Sequence, residues 1–423
     1  MERSSRSFEA SIPAERRRPG TRTHQPLTAQ NGARAEQAVN DRAIEPWALE
    51  EREMSAELKG PQELRSEVVD RELCTLCGAC VGMCPYLVAH RGRIVVMDDC
   101  SLSQGRCYSF CPRGSVDPDE VSQAVFGVPR PDHELGVVRE IVMSRAKEGP
   151  TREKGQYGGT VSALMSFALR EGLLDRAVLT STDEGLLPGG TAVSDEAGVL
   201  ASAGSNFVAS PTLAAFNREA DSEAQRIGVV ATPCQALALA KMRVSPLEKG
   251  DRIGKLKLVV GLFCTWALHY EDFVDFLQQK TQLTEITRVD IPPPPAEVFE
   301  VYTDSSCVQL PLDEVRRFIR STCDLCIDMT AELADLSVGA AEGVQGWNAL
   351  IVRSERGQEL LEAAVAGGAI ETAPLPEENL EHLKGAALAK KKRALRNIVD
   401  KSGSSEDLLY LKLSPEARER LLA

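Results

Sequence analysis

Seven of the chain's twelve cysteines lie between Cys74 and Cys111. Within that window the run CTLCGACVGMCP sets Cys74, Cys77, Cys80 and Cys84 at x2, x2 and x3 spacing, followed by Pro85. Spacers this short let successive sulfurs face one centre, and Gly78 permits the tight turn that they need. The chain lacks the apolar core of a secretory signal. The thiols are therefore read as metal ligands or redox groups rather than as disulfides. A segment built this way is short and loop-rich, wrapped around an inorganic centre.

The spacing C-x2-C-x2-C-x3-C-P resembles the bacterial ferredoxin run, whose fourth cysteine crosses to the other cluster in two-cluster ferredoxins. The second half is less regular. Cys100-x6-Cys107-x3-Cys111-Pro112 keeps the ending of such a motif and lacks its middle cysteine, with Ser103 or Gln104 near that place. Crossover assigns Cys74, Cys77, Cys80 and Cys111 to a complete [4Fe–4S] cluster. Cys84, Cys100 and Cys107 are left as three thiolates for a [3Fe–4S] cluster, or for a [4Fe–4S] cluster with one non-cysteine ligand. A single cluster with spare cysteines, or zinc, stays open on spacing alone.

The remaining cysteines are Cys234, Cys264, Cys307, Cys323 and Cys326. From about residue 150 onward apolar strands alternate with helical periodicity. A helix is predicted over GGTVSALMSFALREG, a strand at 177–181, a helix in TLAAFNREADSE and a strand at 227–231. QALALAKM follows as a helix, 257–263 as a strand and about 270–279 as a helix. The pattern predicts an α/β domain with a largely parallel or mixed sheet. Cys234 and Cys264 each follow a predicted strand directly. Neighbouring parallel strands end at one crevice, where the Cys323-x2-Cys326 pair can complete four thiolates. This set is expected to hold a third [4Fe–4S] cluster, with structural zinc as the alternative. Cys307 has no partner of this kind.

The sequence divides into a disordered extension (1–62), a small α+β ferredoxin-like domain (63–130), an α/β domain with the remaining cysteines (135–400) and a carboxyl-terminal tail (401–423). Residues 292–299, PPPPAEVF, read as a break into irregular structure, and the basic run ALAKKKRALRNIVD reads as a helix with a solvated face. The net charge of −13 argues against nucleic-acid binding. No apolar run is long enough to span a membrane, and a cytoplasmic location is expected. Asp335 reads as a backbone cap at a helix-to-strand junction. His90, His133 and His269 are scattered and form no nucleophile–base set; the catalytic residues stay unknown.

From Gly155 to about Ile398 the chain resembles the beta subunit of coenzyme F420-reducing hydrogenase and its relatives. These include formate dehydrogenase beta subunits and 7-hydroxymethyl chlorophyll a reductase. The resemblance is carried by GQYGGTVSALMSFALREGLLDRAVL, ASAGSNF, GVVATPCQALALAKM, LVVGLFC, CDLCIDMTAELADLSVGAAEG and GWNALIVRSERGQELLEAAVAGGAIE. It implies a bound FAD beside a [4Fe–4S] cluster on Cys234, Cys264, Cys323 and Cys326. Gly158, Gly159 and Thr160 would open a helix whose free N–H groups receive the FAD pyrophosphate. Ser205 and Asn206 fall in the flavin-proximal segment, where Asn206 stands in place of a common lysine and Phe207 in place of an aromatic hydroxyl. Losing that positive charge bears on the use of coenzyme F420 more than on FAD.

These readings together describe an oxidoreductase subunit with FAD and two to three iron–sulfur clusters. It would exchange a hydride with coenzyme F420 or NAD(P), and single electrons with a partner. The partner would be the catalytic subunit of a hydrogenase, formate dehydrogenase or heterodisulfide-reductase-like complex, or a ferredoxin. A stand-alone ferredoxin-dependent reductase of an organic substrate and a flavin-free iron–sulfur conduit are the alternatives.

Overall fold

An eight-stranded mixed sheet organises the chain in the computed structural model, which describes residues 58–130, 134–182, 186–248, 250–282, 286–292 and 296–423. The expected disorder of 1–57, and His133, lie outside the described residues. Residues 58–62 already belong to the fold: Lys59 Nζ reaches Glu67 Oε1 at 2.7 Å.

Four strands form the parallel middle of the sheet: β4 (Arg176–Thr182), β6 (Ile227–Ala231), β7 (Leu256–Leu262) and β11 (Leu336–Ala340). β6 reads Ile-Gly-Val-Val-Ala and is buried at every residue, the unbroken apolar run of a strand covered on both faces. Antiparallel strands complete the edges. β5 (Pro188–Val193) pairs with β4, and β12 (Asn348–Val352), β3 (Glu140–Ala146) and β13 (Ile370–Pro374) follow β11. The sheet is thus mixed.

The predicted helices are present at Thr160–Arg170, Leu213–Ala220, Pro233–Val244 and Tyr270–Gln278. Thr160–Arg170 lays Ala163, Leu164, Phe167 and Ala168 against the sheet, and Gly172 closes its end at φ 65°, a left-handed position that glycine adopts without cost. Pro233–Val244 starts with a reciprocal cap, Thr232 N–H donating to Gln235 Oε1 at 2.9 Å, an arrangement that stabilises a helix start by about 1 kcal/mol. This cap fixes the direction in which Cys234 leaves the sheet.

The stretch after 286 departs from expectation. It forms a three-stranded antiparallel sheet of β8 (Ile286–Asp290), β9 (Val298–Thr303) and β10 (Cys307–Pro311). Phe299, Val301 and Leu310 face a separate core with Phe273 and Leu277. The prolines masked a period-two pattern in VFEVYT. Cys307 is exposed.

The cysteine-rich segment carries a hairpin, β1 (Leu87–His90) with β2 (Arg93–Val96), and the helix Pro118–Phe126. It shares a core with the chain's end: Leu73, Tyr108, Val116 and Val125 pack with Leu395, Ile398, Tyr410 and Leu421. Residues 401–423 therefore close the fold rather than trail from it. Val116 N–H donates to the Tyr410 carbonyl at 2.9 Å, and Lys412 N–H to the Val116 carbonyl at 2.8 Å.

The helix Glu377–Ser402 overturns the solvated reading of its basic run. Lys390 and Lys391 are 3% and 1% exposed. The three-and-four spacing of Ala387, Leu388, Ala394, Leu395 and Ile398 carries these lysines inward because the helix is covered by the cysteine-rich segment on one side and the sheet on the other.

Candidate metal centres

Cys234 and Cys264 stand just past the carboxyl ends of β6 and β7, which are parallel neighbours. The Cys323–Cys326 pair sits on the short 3-10 turn Ser321–Leu325 and folds over that edge. Ala267 N–H points to Cys323 Sγ at 3.3 Å, Cys264 N–H donates to the Met329 carbonyl at 2.8 Å, and Thr232 Oγ1 lies 3.3 Å from Cys234 Sγ. Burial pushes the Cys323 thiol up to about 11, with Cys234 and Cys326 adding to the rise. Burial likewise raises Cys264, whose thiol also feels Cys323, Cys234 and Cys326. These four thiols form one inner group.

Cys74, Cys77, Cys80 and Cys111 form a second. All four are raised by burial, Cys74 to about 11 with a further push from Cys111. They line a recess shared with Leu64, Val68 and Ile94. Leu76 N–H and Arg113 N–H each point at a sulfur, Cys74 Sγ and Cys111 Sγ, at 3.4 Å. Gly78 is where the loop meets the main sheet's helices. Its φ is 85°, and a Cβ there would stand 2.4 Å from the Pro211 carbonyl oxygen, so only glycine fits.

Cys84, Cys100 and Cys107 form the outer group. Burial pushes Cys107 up to about 11, and Cys84 and Cys100 raise it further; Cys84 is exposed.

The groups are consecutive. Arg320, three residues before Cys323, donates to the Cys74 carbonyl, and Arg113, two beyond Cys111, donates to the Thr322 carbonyl, which ties the inner to the middle group; Cys84 follows Cys80 by four residues. Among the described residues no three Cys, His, Asp or Glu side chains converge on one point as a single metal ion requires. The donor sets are all sulfur, the chemistry that iron–sulfur clusters take, and backbone N–H groups aimed at sulfur are the contacts that tune them. The two four-thiol groups fit a cubane in donor number and burial.

Cations surround the thiols although the chain is acidic overall. Arg113 is buried, donates to the carbonyls of Thr322 at 2.7 Å and Leu325 at 3.1 Å, and lies 4.2 Å over the Tyr410 ring. Arg320 donates to the carbonyls of Cys74 and Gly92, both at 3.0 Å. Thr322 Oγ1 donates to the Leu73 carbonyl at 2.7 Å. Each of the two loops thus holds the other. Lys241 and Lys390, which sequence reasoning missed, are buried beside the same loops. Their only signal was a lysine on the apolar face of a helix.

Asp335 serves as a structural anchor. Its carboxylate accepts from Val259 N–H and Ser354 Oγ, both at 2.8 Å, at the start of β11.

Of the residues expected at the flavin, Ser205 is brought against the loop that leads into Gly158. Ser205 Oγ donates to Gln156 Oε1, and Gln156 Nε2 to Asp290 Oδ1 at 2.6 Å. Tyr157 beside it holds φ 53°, a strained conformation for a side chain of that size. Asn206 Oδ1 accepts from Val208 N–H at 2.9 Å, while its Nδ2 is buried with no hydrogen-bond partner. A buried amide donor left so costs about 1–3 kcal/mol, and an acceptor on a bound ligand would remove that cost. Gly158 and Gly159 have a reason of their own. A Cβ on Gly158 would stand 2.4 Å from Asn348 Oδ1, and one on Gly159 2.4 Å from the Thr151 carbonyl oxygen. Thr160 N–H donates to Asn348 Oδ1 at 3.3 Å. The first helical N–H expected to meet a pyrophosphate is therefore taken by the chain itself.

Residues 141–217 and 224–378 match the amino-terminal and carboxyl-terminal models of the coenzyme F420 hydrogenase/dehydrogenase beta subunit, and 67–88 match a 4Fe-4S binding domain. The chain is 31% identical to the coenzyme F420 hydrogenase subunit beta of Methanothermobacter thermautotrophicus, over 62% of this chain and 95% of that protein. It is 28% identical to an F(420)H(2) dehydrogenase subunit of Methanosarcina mazei, over 70% of this chain and 83% of that protein. Its fold matches a chain of the F420-reducing [NiFe] hydrogenase complex from Methanosarcina barkeri with a TM-score of 0.59 and 26% identity, covering 63% of this chain and 93% of that one. No helix among the described residues is long and apolar enough to cross a membrane. The chain belongs to the family of coenzyme F420 hydrogenase/dehydrogenase beta subunits, with a 4Fe-4S binding segment ahead of the family domain.

Proposed function

We propose that the protein is the electron-transfer subunit of an oxidoreductase complex, binding one FAD and three iron–sulfur clusters. Cys234, Cys264, Cys323 and Cys326 hold the innermost cluster; Cys74, Cys77, Cys80 and Cys111 hold the middle one. Cys84, Cys100 and Cys107 hold the outer one. FAD supplies the conversion between a two-electron hydride carrier and one-electron centres. The observation that carries this reading is that the loops bearing the cysteines are tied to one another, Arg113 and Arg320 joining the loops of Cys111 and Cys74 to the turn of Cys323, with Cys84 exposed beyond them. Such an order serves to move single electrons between a buried site and a partner's surface.

The flavin is placed by Asn206, whose Nδ2 offers a donor, and by the Gln156–Ser205 corner. The hydride carrier is coenzyme F420 or NAD(P), and the partner is a catalytic subunit of the hydrogenase or dehydrogenase type. The relatives named above support coenzyme F420. The chain's own residues orient the groups, exclude water and supply fixed positive charge through Arg113, Lys241, Arg320 and Lys390.

Anaerobic purification with iron, sulfide and flavin measured per chain tests this reading, followed by addition of reduced coenzyme F420 and NADPH in turn. Roughly one FAD and eleven to twelve iron per chain, with bleaching by one carrier, is the expected result. Iron without flavin would leave an iron–sulfur conduit. Flavin that neither carrier bleaches would point to a ferredoxin-dependent reductase of an organic substrate.

A further inference from the structure

Two buried lysines stand in the same relation to two different thiol groups. Lys241, on the helix Pro233–Val244 and 5% exposed, donates to the Cys111 carbonyl at 2.8 Å and to the Ser115 carbonyl at 3.1 Å. Lys390, on the helix Glu377–Ser402 and 3% exposed, donates to the Cys264 carbonyl at 2.6 Å and to the Asp328 carbonyl at 2.8 Å. One carbonyl in each pair belongs to a cysteine of the middle or of the inner group.

Carbonyls alone do not justify a buried ammonium, because desolvating a charge is costly unless opposite charge lies near. Among the described residues the buried lysines are Lys241, Lys390 and Lys391. Lys391 has the Glu332 carboxylate for a partner. Lys241 has no carboxylate among its hydrogen-bond acceptors, which are the carbonyls of Cys111 and Ser115. Lys390 likewise gives its hydrogen bonds to carbonyls, those of Cys264 and Asp328. The cations are placed for the thiol groups, one for each.

We propose that Lys241 and Lys390 are positioning residues that set the reduction potentials of the middle and inner clusters independently, each holding a fixed positive charge on a ligand-bearing loop. The inference rests on the iron–sulfur reading given above. When a cluster takes up one electron its charge falls by one unit, with no bond broken and no proton moved. An ammonium held beside it favours the reduced form over the oxidised form and so raises the potential. Two lysines on two helices allow the two centres to be tuned separately, which orders the electron's path.

The test is an EPR-monitored potentiometric titration of the full chain, purified anaerobically, with iron content measured in parallel. Lys241→Gln and Lys390→Gln remove the charge, while Lys241→Arg and Lys390→Arg keep it. Each glutamine variant is expected to favour the oxidised form of one cluster at least tenfold, a fall of about 59 mV for one electron, and to move a different signal from the other. Each arginine variant is expected to recover more than half of that shift. Unchanged potentials with full iron would overturn the proposal, as would both variants moving one signal alike. Loss of iron in a glutamine variant but not in its arginine counterpart would also overturn it, assigning the lysine to holding the loop. A parent chain without iron is a separate failure, because it removes the cluster reading itself.

Discussion

The Arg113 guanidinium donates to the Thr322 carbonyl at 2.7 Å, so the residue two beyond Cys111 holds the backbone next to Cys323. Arg113 also caps the Leu325 carbonyl, which Tyr410 Oη reaches from the chain's end at 2.7 Å. Two distant segments thus converge on the turn that carries Cys323 and Cys326. Arg113→Met would strand the Thr322 carbonyl, leave Tyr410 as the donor to the Leu325 carbonyl, and is expected to cost about 1–3 kcal/mol. Arg113→Lys keeps the charge without the fork and should cost less. Urea unfolding under anaerobic conditions reads both, and equal stability in all three proteins would show that the turn stands without this tie.

The grouping of thiols makes a prediction that sequence adjacency would not. Cys80 and Cys84 are four residues apart yet belong to different groups, whereas Cys74 and Cys111 belong to one. Cys111→Ser is therefore expected to remove or alter the same EPR signal as Cys74→Ser. Cys84→Ser should affect the signal that Cys107→Ser affects and leave the other in place. Should Cys84→Ser and Cys80→Ser change one and the same signal, the crossover is wrong.

Much of this was legible because it depends on local pattern. The apolar run of β6 and the x3-C-P endings are readable from a few neighbours in sequence. Cys234 and Cys264 could be placed together because parallel strands end at a common edge. The buried lysines were not readable: KKKR looks solvated until the cysteine-rich segment packs over that helix. Asn348 occupying the Thr160 N–H was equally out of reach, since the contact joins residues on β12 and a helix far earlier in the chain. The sheet of β8, β9 and β10 was obscured by the prolines between β8 and β9, which dominated a window whose alternation begins only at Val298.

The buried Lys391–Glu332 pair, with Arg130 Nη1 3.4 Å from the same carboxylate, predicts an acid limit to stability. Burial alone would raise the Glu332 carboxyl, but Lys391 and Arg130 outweigh it and hold it below its ordinary value of 4.5. A depressed carboxyl contributes stability that is present above the ordinary value and lost as pH falls through the folded-state value. The melting temperature should thus be insensitive to this group between pH 7 and 5 and should fall below about 4.5. Glu332→Gln leaves the buried Lys391 without its carboxylate, while Arg130 keeps Asp119 at 2.6 Å, and is expected to lose about 3–5 kcal/mol at pH 7. Its further loss on acidification should be smaller than the parent's. Parallel acid profiles for the two proteins would show that the pair does not govern the limit.

Asn206 separates a ligand role from a structural one. Its Oδ1 holds the turn through Val208 N–H, and its Nδ2 points to no partner. Asn206→Asp keeps the acceptor and replaces the unpartnered donor with a second acceptor oxygen, so the turn should survive. If a flavin acceptor group meets that amide, the variant should purify with markedly less FAD, with iron content unchanged and stability within about 1 kcal/mol of the parent. Gly158→Ala is the contrasting case: its Cβ would press on Asn348 and the Ser144 carbonyl, so flavin and stability should fall together. Full flavin in Asn206→Asp would remove Asn206 from the binding site. Loss of flavin in both variants, with stability lost only in Gly158→Ala, is the outcome that places the cofactor at the Gln156–Ser205 corner.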